Sequence, residues 1–193
     1  FNNSANIGIP LAVLAWGEAA LPAAVILFMV ANLLHFSLGA RMLDANARLL
    51  MLWRIPAVAA TAAGLAVSLL GLHVWGPLLS ALEMVGDIAI PLLLFALGVR
   101  MKNIRFTDLG APLVGAFLRP ALGVAIAWSA AQLLGLGARD SAMLIVFGAL
   151  PPAVMNFLFA ERYRQEPERV ASIVLLGNLA AVLVLPLVLA AVL

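Results

Sequence analysis

The sequence predicts an all-α integral membrane protein in which two broken helices cross. Three observations carry that expectation. The first is composition: of 193 residues, 65% are hydrophobic and 10% charged, with a mean hydropathy of +1.14, whereas globular domains carry about 25% charged residues. The second is spacing, because the apolar runs are about the length of a membrane span and the charges sit in short connections between them. The third is the presence of prolines and asparagines inside two apolar runs, where they disrupt an otherwise continuous helix.

Composition also excludes. The net charge is +2 and the pI about 9.9, but the basic residues are spread over the connections and not gathered on one face, so no nucleic-acid partner is expected. There are no cysteines, hence no disulfide and no thiolate metal site. His35 and His73 are too far apart in sequence for metal-ligand spacing, and no cofactor is expected.

Taken in order, Ile7–Trp16 is too short to span and reads as the second half of an element. The chain opens at Phe1 within that element and is read as the C-terminal part of a longer protein. Gly17–Leu21 turns the chain and Pro22–Ala40 makes a full span. Arg41–Arg54 is a polar connection, Ile55–Leu72 spans, and His73–Pro77 is a tight turn. Leu78–Val99 spans again, and Arg100–Asp108 is a basic loop. Leu109–Leu118 is expected to lie along the interface, with Arg119–Pro120 opening a span to about Leu136. Arg139–Asp140 precede a broken helix, Ser141–Ala160. The charged loop Glu161–Arg169 leads to the last span, Val170–Leu193.

The connections 41–54, 100–119 and 161–169 fall on one side of the membrane. They hold Arg41, Arg48, Arg54, Arg100, Lys102, Arg105, Arg119, Arg162, Arg164 and Arg169, ten of the eleven basic residues, leaving Arg139 opposite. The positive-inside rule makes that side cytoplasmic and puts the C-terminus outside, in an inner or plasma membrane.

The interruption in Ser141–Ala160 is the segment LPPAVMNF (Leu150–Phe157). Proline removes a backbone donor and clashes with the preceding turn, so Pro151 and Pro152 break the helix. Each freed polar group costs several kcal/mol in lipid unless protein or water satisfies it. A break at that depth therefore implies either a kink that shapes packing or a protein-lined cavity of the kind in which transporters bind cargo. The opening FNNSANIGIPL resembles this region. At an offset of 146 residues, Asn6 falls on Pro152, Pro10 on Asn156 and Asn32 on Asn178. The topology makes the two copies antiparallel, which is the pattern of an inverted repeat. Residues 46–193 then form a complete five-helix second repeat. Residues 1–45 are the remnant of the first, half a broken helix plus one span, and about three and a half membrane elements would precede it.

These motifs carry a family resemblance. NNSANIGIPL resembles the crossover segment of the auxin efflux carrier family, GDIAIPLLLFALGVRM (Gly86–Met101) its proline-containing helix, and LPPAVMNFLFAERY with GNLAAVLVLPL its last two helices. The resemblance extends over essentially the whole chain. Two positions depart from the pattern: Asn2 and Ala5 stand where the family carries glycine. The resemblance implies a ten-helix secondary transporter of two inverted five-helix repeats. Its crossed helices would move against a scaffold in an elevator manner, commonly in a homodimer. The cargo it implies is auxin, malonate or another small carboxylate.

A carboxylate entering a membrane needs compensation. Half-helix N-termini, after the first break at Ile9–Trp16 and after the second at Val154–Ala160, supply partial positive charge and free N–H groups. Asn3, Asn6 and Asn156 add amide donors, and Gly8, Pro10, Pro151 and Pro152 belong to the same broken segments. The amides either bind cargo or satisfy backbone groups that the prolines freed. Asn32 and Asn178 either contact cargo or brace the broken helices. Asp87, with Glu83 four residues earlier on the same face, is the coupling candidate, since ionisable groups in a span are expensive and by default functional. The alternative is a buried structural Asp87 with Glu83 near the outer interface. Arg119 either snorkels to the cytoplasmic headgroups or meets incoming anions. His35 is expected to be packed or interfacial.

The leading functional expectation is a secondary transporter for a small organic anion, driven by its own gradient or by a proton. The alternative is a sodium- or proton-coupled symporter or antiporter of similar architecture, which usually places acidic residues at the crossover; neither crossover has one. A membrane enzyme would need a clustered nucleophile set, which the spans lack. The fragment as given is also open to the reading that it does nothing alone.

Overall fold

The computed structural model describes residues 1–44, 56–101 and 110–193. The connections 45–55 and 102–109, with Arg48, Arg54, Lys102 and Arg105 of the charge count, and the repeat boundary at residue 46, lie outside the described residues. Within them the chain is helical: α1 (Ile9–Trp16), α2 (Leu21–Leu34), α3 (Ala40–Leu43), α4 (Pro56–Leu69), α5 (Gly76–Met101), α6 (Gly110–Leu133), α7 (Ala138–Ala149), α8 (Met155–Arg162) and α9 (Pro167–Val192). A π-helical turn, Ser4–Gly8, runs directly into α1, and a second one, His35–Gly39, joins α2 to α3. Three stretches among the described residues are long and apolar enough to cross a membrane: Glu18–Leu43, Pro112–Leu133 and Pro167–Val192.

One sequence expectation gives way here. Of the expected interfacial piece Leu109–Leu118, the described residues 110–118 are not separate, because α6 continues through Arg119 and Pro120 as one helix. Arg-Pro looks like a helix start, since proline suits the first turn. Inside a membrane bundle, however, neighbouring groups can satisfy what proline frees. Pro91 and Pro186 likewise sit within α5 and α9.

The core forms where α6, α7 and α9 pack together and the α1–α2 hairpin closes against them. Gly17, at φ 75°, makes the hairpin turn in a conformation that side chains rarely adopt. Ala12, Ala24, Met143, Phe147, Leu150 and Leu185 pack at its centre. Helices approach closely in membranes where residues are small, and α6 meets α7 backbone to backbone through Gly123 and Gly148. A Cβ on Gly123 would collide with the Gly148 carbonyl oxygen and lie 2.9 Å from its carbon. By contrast, α5 meets the rest mainly along α9, and its large apolar side chains, such as Leu82, Val85 and Phe95, are exposed.

The two broken segments cross. α7 ends at Ala149, Leu150 turns to ψ 145°, and the chain runs extended to α8. Residues 1–3 run antiparallel to it, with a bridge between Asn2 and Pro152. Asn3 N–H donates to Pro151 O at 2.8 Å, and Ala153 N–H to Phe1 O at 3.1 Å. In this pairing Asn2 lies opposite Pro152. Asn6 and Asn156 consequently each stand four residues beyond a bridge partner.

Candidate functional site

The prolines leave carbonyls at the end of α7 without helical donors, and side chains converge on them. Asn2 Nδ2 donates to Phe147 O at 2.8 Å, and Arg119 Nη1 to Gly148 O at 2.9 Å. Asn178 Nδ2, from α9, donates to Pro152 O at 3.1 Å and to Val174 O at 2.7 Å. Asn156 Nδ2 donates to Phe1 O at 2.9 Å, tying α8 to the opposite strand. Asn3, buried, donates to Asn178 Oδ1 at 3.4 Å. Asn156 and Asn178 thus serve the backbone directly, the bracing side of the two sequence alternatives. Arg119 is turned onto α7, where its cation neutralises the negative end of that helix.

Around this knot lie two cavities. The first, of about 200 Å³, is lined by Asn2, Asn3, Ser4, Ala5, Asn6, Phe28, Asn32, His35, Phe36 and residues 153–155. The side-chain amides of Asn6 and Asn32 bond to no other described residue, which leaves them available to a guest. The helical run after the first break starts at Ser4, because Ile7 and Gly8 N–H both donate to Asn3 O at 3.2 Å. The first-turn N–H groups therefore belong to residues 4–6, earlier than Ile9 suggests, and these residues line the cavity. Val154 and Met155, at the start of α8, line it from the other side. Two positive helix ends share one small volume.

The second cavity, of about 220 Å³, includes Phe1, His35, Gly39, Asn156, Phe159 and Gln165 in its lining. His35 belongs to both linings and lies in a cage of rings. Its centroid is 4.4 Å from that of Phe1, in a stacked pair, and 4.6 Å from that of Phe159. The π-helical turn that begins at His35 suits a functional position.

The remaining sequence candidates divide. Gly8 lies beneath the crossing, where a Cβ would stand 2.7 Å from Leu150 Cδ1. Pro10, exposed, opens α1. Pro151 and Pro152 are buried in the crossing strand. Glu83 and Asp87 are exposed on α5 and line neither cavity. Sequence reasoning missed Asn2, Ser4 and Gly177 as parts of this arrangement. Gly177 packs under the Pro152 ring, and a Cβ there would be 2.5 Å from Pro152 Cδ. Its neighbour Asn178 was the available signal, since the same turn of α9 that donates to Pro152 O has to approach the ring. Gly177→Ala is expected to displace the crossing strand at a cost of about 1–3 kcal/mol. A lowered melting temperature in detergent, with normal membrane insertion, checks this.

Set against known families, residues 44–189 match the model of a family described as membrane transport protein. That match takes in α4 to α8 and most of α9, and leaves the first crossing strand outside it. Neither a curated protein nor a solved structure matches the chain at comparable stringency.

Proposed function

The chain belongs to the membrane transport protein family, that of the auxin efflux carriers whose motifs it resembles, and from that premise we propose that it carries a small organic anion through the crossing of its two broken helices. It is a multi-pass membrane transporter. The observation that supports the cargo class is the cavity at the crossing, where two helix N-termini and the free amides of Asn6 and Asn32 face one volume without a carboxylate among its lining residues. Such a set stabilises a carboxylate through N–H donors and helix-end charge. An acid-dependent cation symporter, the second reading, has no acidic ligand there to work with. Transport by an elevator motion is supported by the unequal packing: α5 meets the rest mainly along one helix, whereas α6, α7 and α9 interlock. We assign α5 to the scaffold, its exposed apolar side chains facing lipid or a second copy of the chain.

Uptake of labelled malonate and indole acetate into proteoliposomes tests the proposal. Asn6→Ala combined with Asn32→Ala is expected to reduce uptake at least about ten-fold, corresponding to ~1.4 kcal/mol, while leaving the melting temperature nearly unchanged. Uptake that survives the pair intact would remove the cavity from the transport path. The orientation is proposed as an inner-membrane chain with Leu193 outside. A tag fused there is expected to be labelled by an impermeant reagent in intact cells; protection of the tag would reverse the topology.

A further inference from the structure

We infer that His35 is the proton-binding group of the cargo site, so that anion and proton are taken up together. This deepens the anion-transport reading and rests on it. His35 is 5% exposed, yet it lines both cavities, the amide-rich one at the crossing and the one beside Asn156. Its ring nitrogens make no hydrogen bond to another described residue, and no fully buried polar side-chain atom among those residues lacks a partner. The nitrogens therefore open onto cavity space, while the ring faces are held by Phe1 and Phe159.

Among the described residues, the groups that face His35 supply no counter-charge for an imidazolium. The crossing strand offers the ring of Phe1 and the amides of Asn2 and Asn3. From α8 come Phe159 and the Asn156 amide; Glu161, Arg162 and the nearby Tyr163 line neither cavity. On its own helical run, Arg41 is exposed and Asp44 lies beyond α3, and neither lines the cavities. An incoming carboxylate is then the missing partner. It favours the protonated ring, and by reciprocity the protonated ring favours the anion. Asp87 and Glu83, exposed on α5, have no comparable position.

The test uses the whole chain in proteoliposomes with labelled indole acetate, between about pH 8 and about pH 6. Over that range the probe stays ionised while histidine titrates. Wild-type initial uptake at low probe concentration is expected to rise about five-fold or more as the pH falls. His35→Phe keeps the ring stack without a titrating group, and His35→Gln keeps a hydrogen-bonding side chain; gel filtration identifies whichever is folded. Either folded variant is expected to lose the pH dependence, its ratio of uptake at about pH 6 to that at about pH 8 falling toward one. An unchanged pH profile in a folded variant overturns the role of His35 alone. Absence of uptake by the wild type at every pH, with malonate as with indole acetate, overturns both this role and the anion reading.

Discussion

Gly123→Val is expected to lower stability by about 3 kcal/mol or more. At that position α6 and α7 touch through backbone, and any Cβ meets the Gly148 carbonyl. A carbonyl cannot rotate away as a flexible side chain would, so the helices must separate. Separation strips contact from the most extensive helix pair among the described residues, and in lipid such contact is a main source of association. Overpacking ordinarily costs about 1–3 kcal/mol, and the loss of the interface adds to it. Placing a β-branched residue in a helix gives back less than about 1 kcal/mol relative to glycine. A fall in melting temperature of roughly 6–12 °C in detergent follows from the size of the chain. A variant that melts with the wild type would mean the two helices do not approach as described.

Arg119→Met is expected to reduce uptake at least about ten-fold with a smaller loss of stability, about 1–3 kcal/mol. Gly148 O would lose its donor, and the end of α7 would lose its compensating cation. Both changes act at the place where the broken segments cross, and both make the surroundings less favourable to an anion. Arg119→Lys keeps the charge but not the planar fork of donors, so uptake intermediate between wild type and the methionine variant is expected. Uptake of the same anions at the wild-type rate in the methionine variant would reduce Arg119 to a packing residue.

Much of this arrangement was legible in the chain. The double proline at residues 151–152 forecast the break because its chemistry is local: a missing donor and a ring that forbids the next turn. Asn3 and Asn6 could be placed at the site for the same reason, standing beside a second interruption. What could not be read were relationships between distant segments. Nothing near Arg119 shows that its guanidinium finds Gly148 O, and a cation next to proline looks like a helix start at the membrane surface. His35 is packed, as expected, but its ring partners, Phe1 and Phe159, could not be named because they lie far away in sequence. The pairing of the crossing strands, Asn2 opposite Pro152, is likewise a relationship between segments 150 residues apart that the chain does not spell out.

The bridge between the crossing strands has a consequence for biosynthesis. Asn2 binds Phe147 O, a partner 145 residues later in the chain. At ~5–20 residues per second a ribosome needs roughly 7–30 s to make that partner. Throughout this interval the extended strand at residues 1–3 lacks its partners at residues 147–153, in a chain already being delivered to lipid. The α1–α2 hairpin is then expected to wait in a wetter place, at the insertion machinery or the bilayer surface, until residues 147–153 arrive. Final assembly of the crossing is therefore a late, post-insertion event, and a stalled chain ending before residue 150 should be a substrate for quality control.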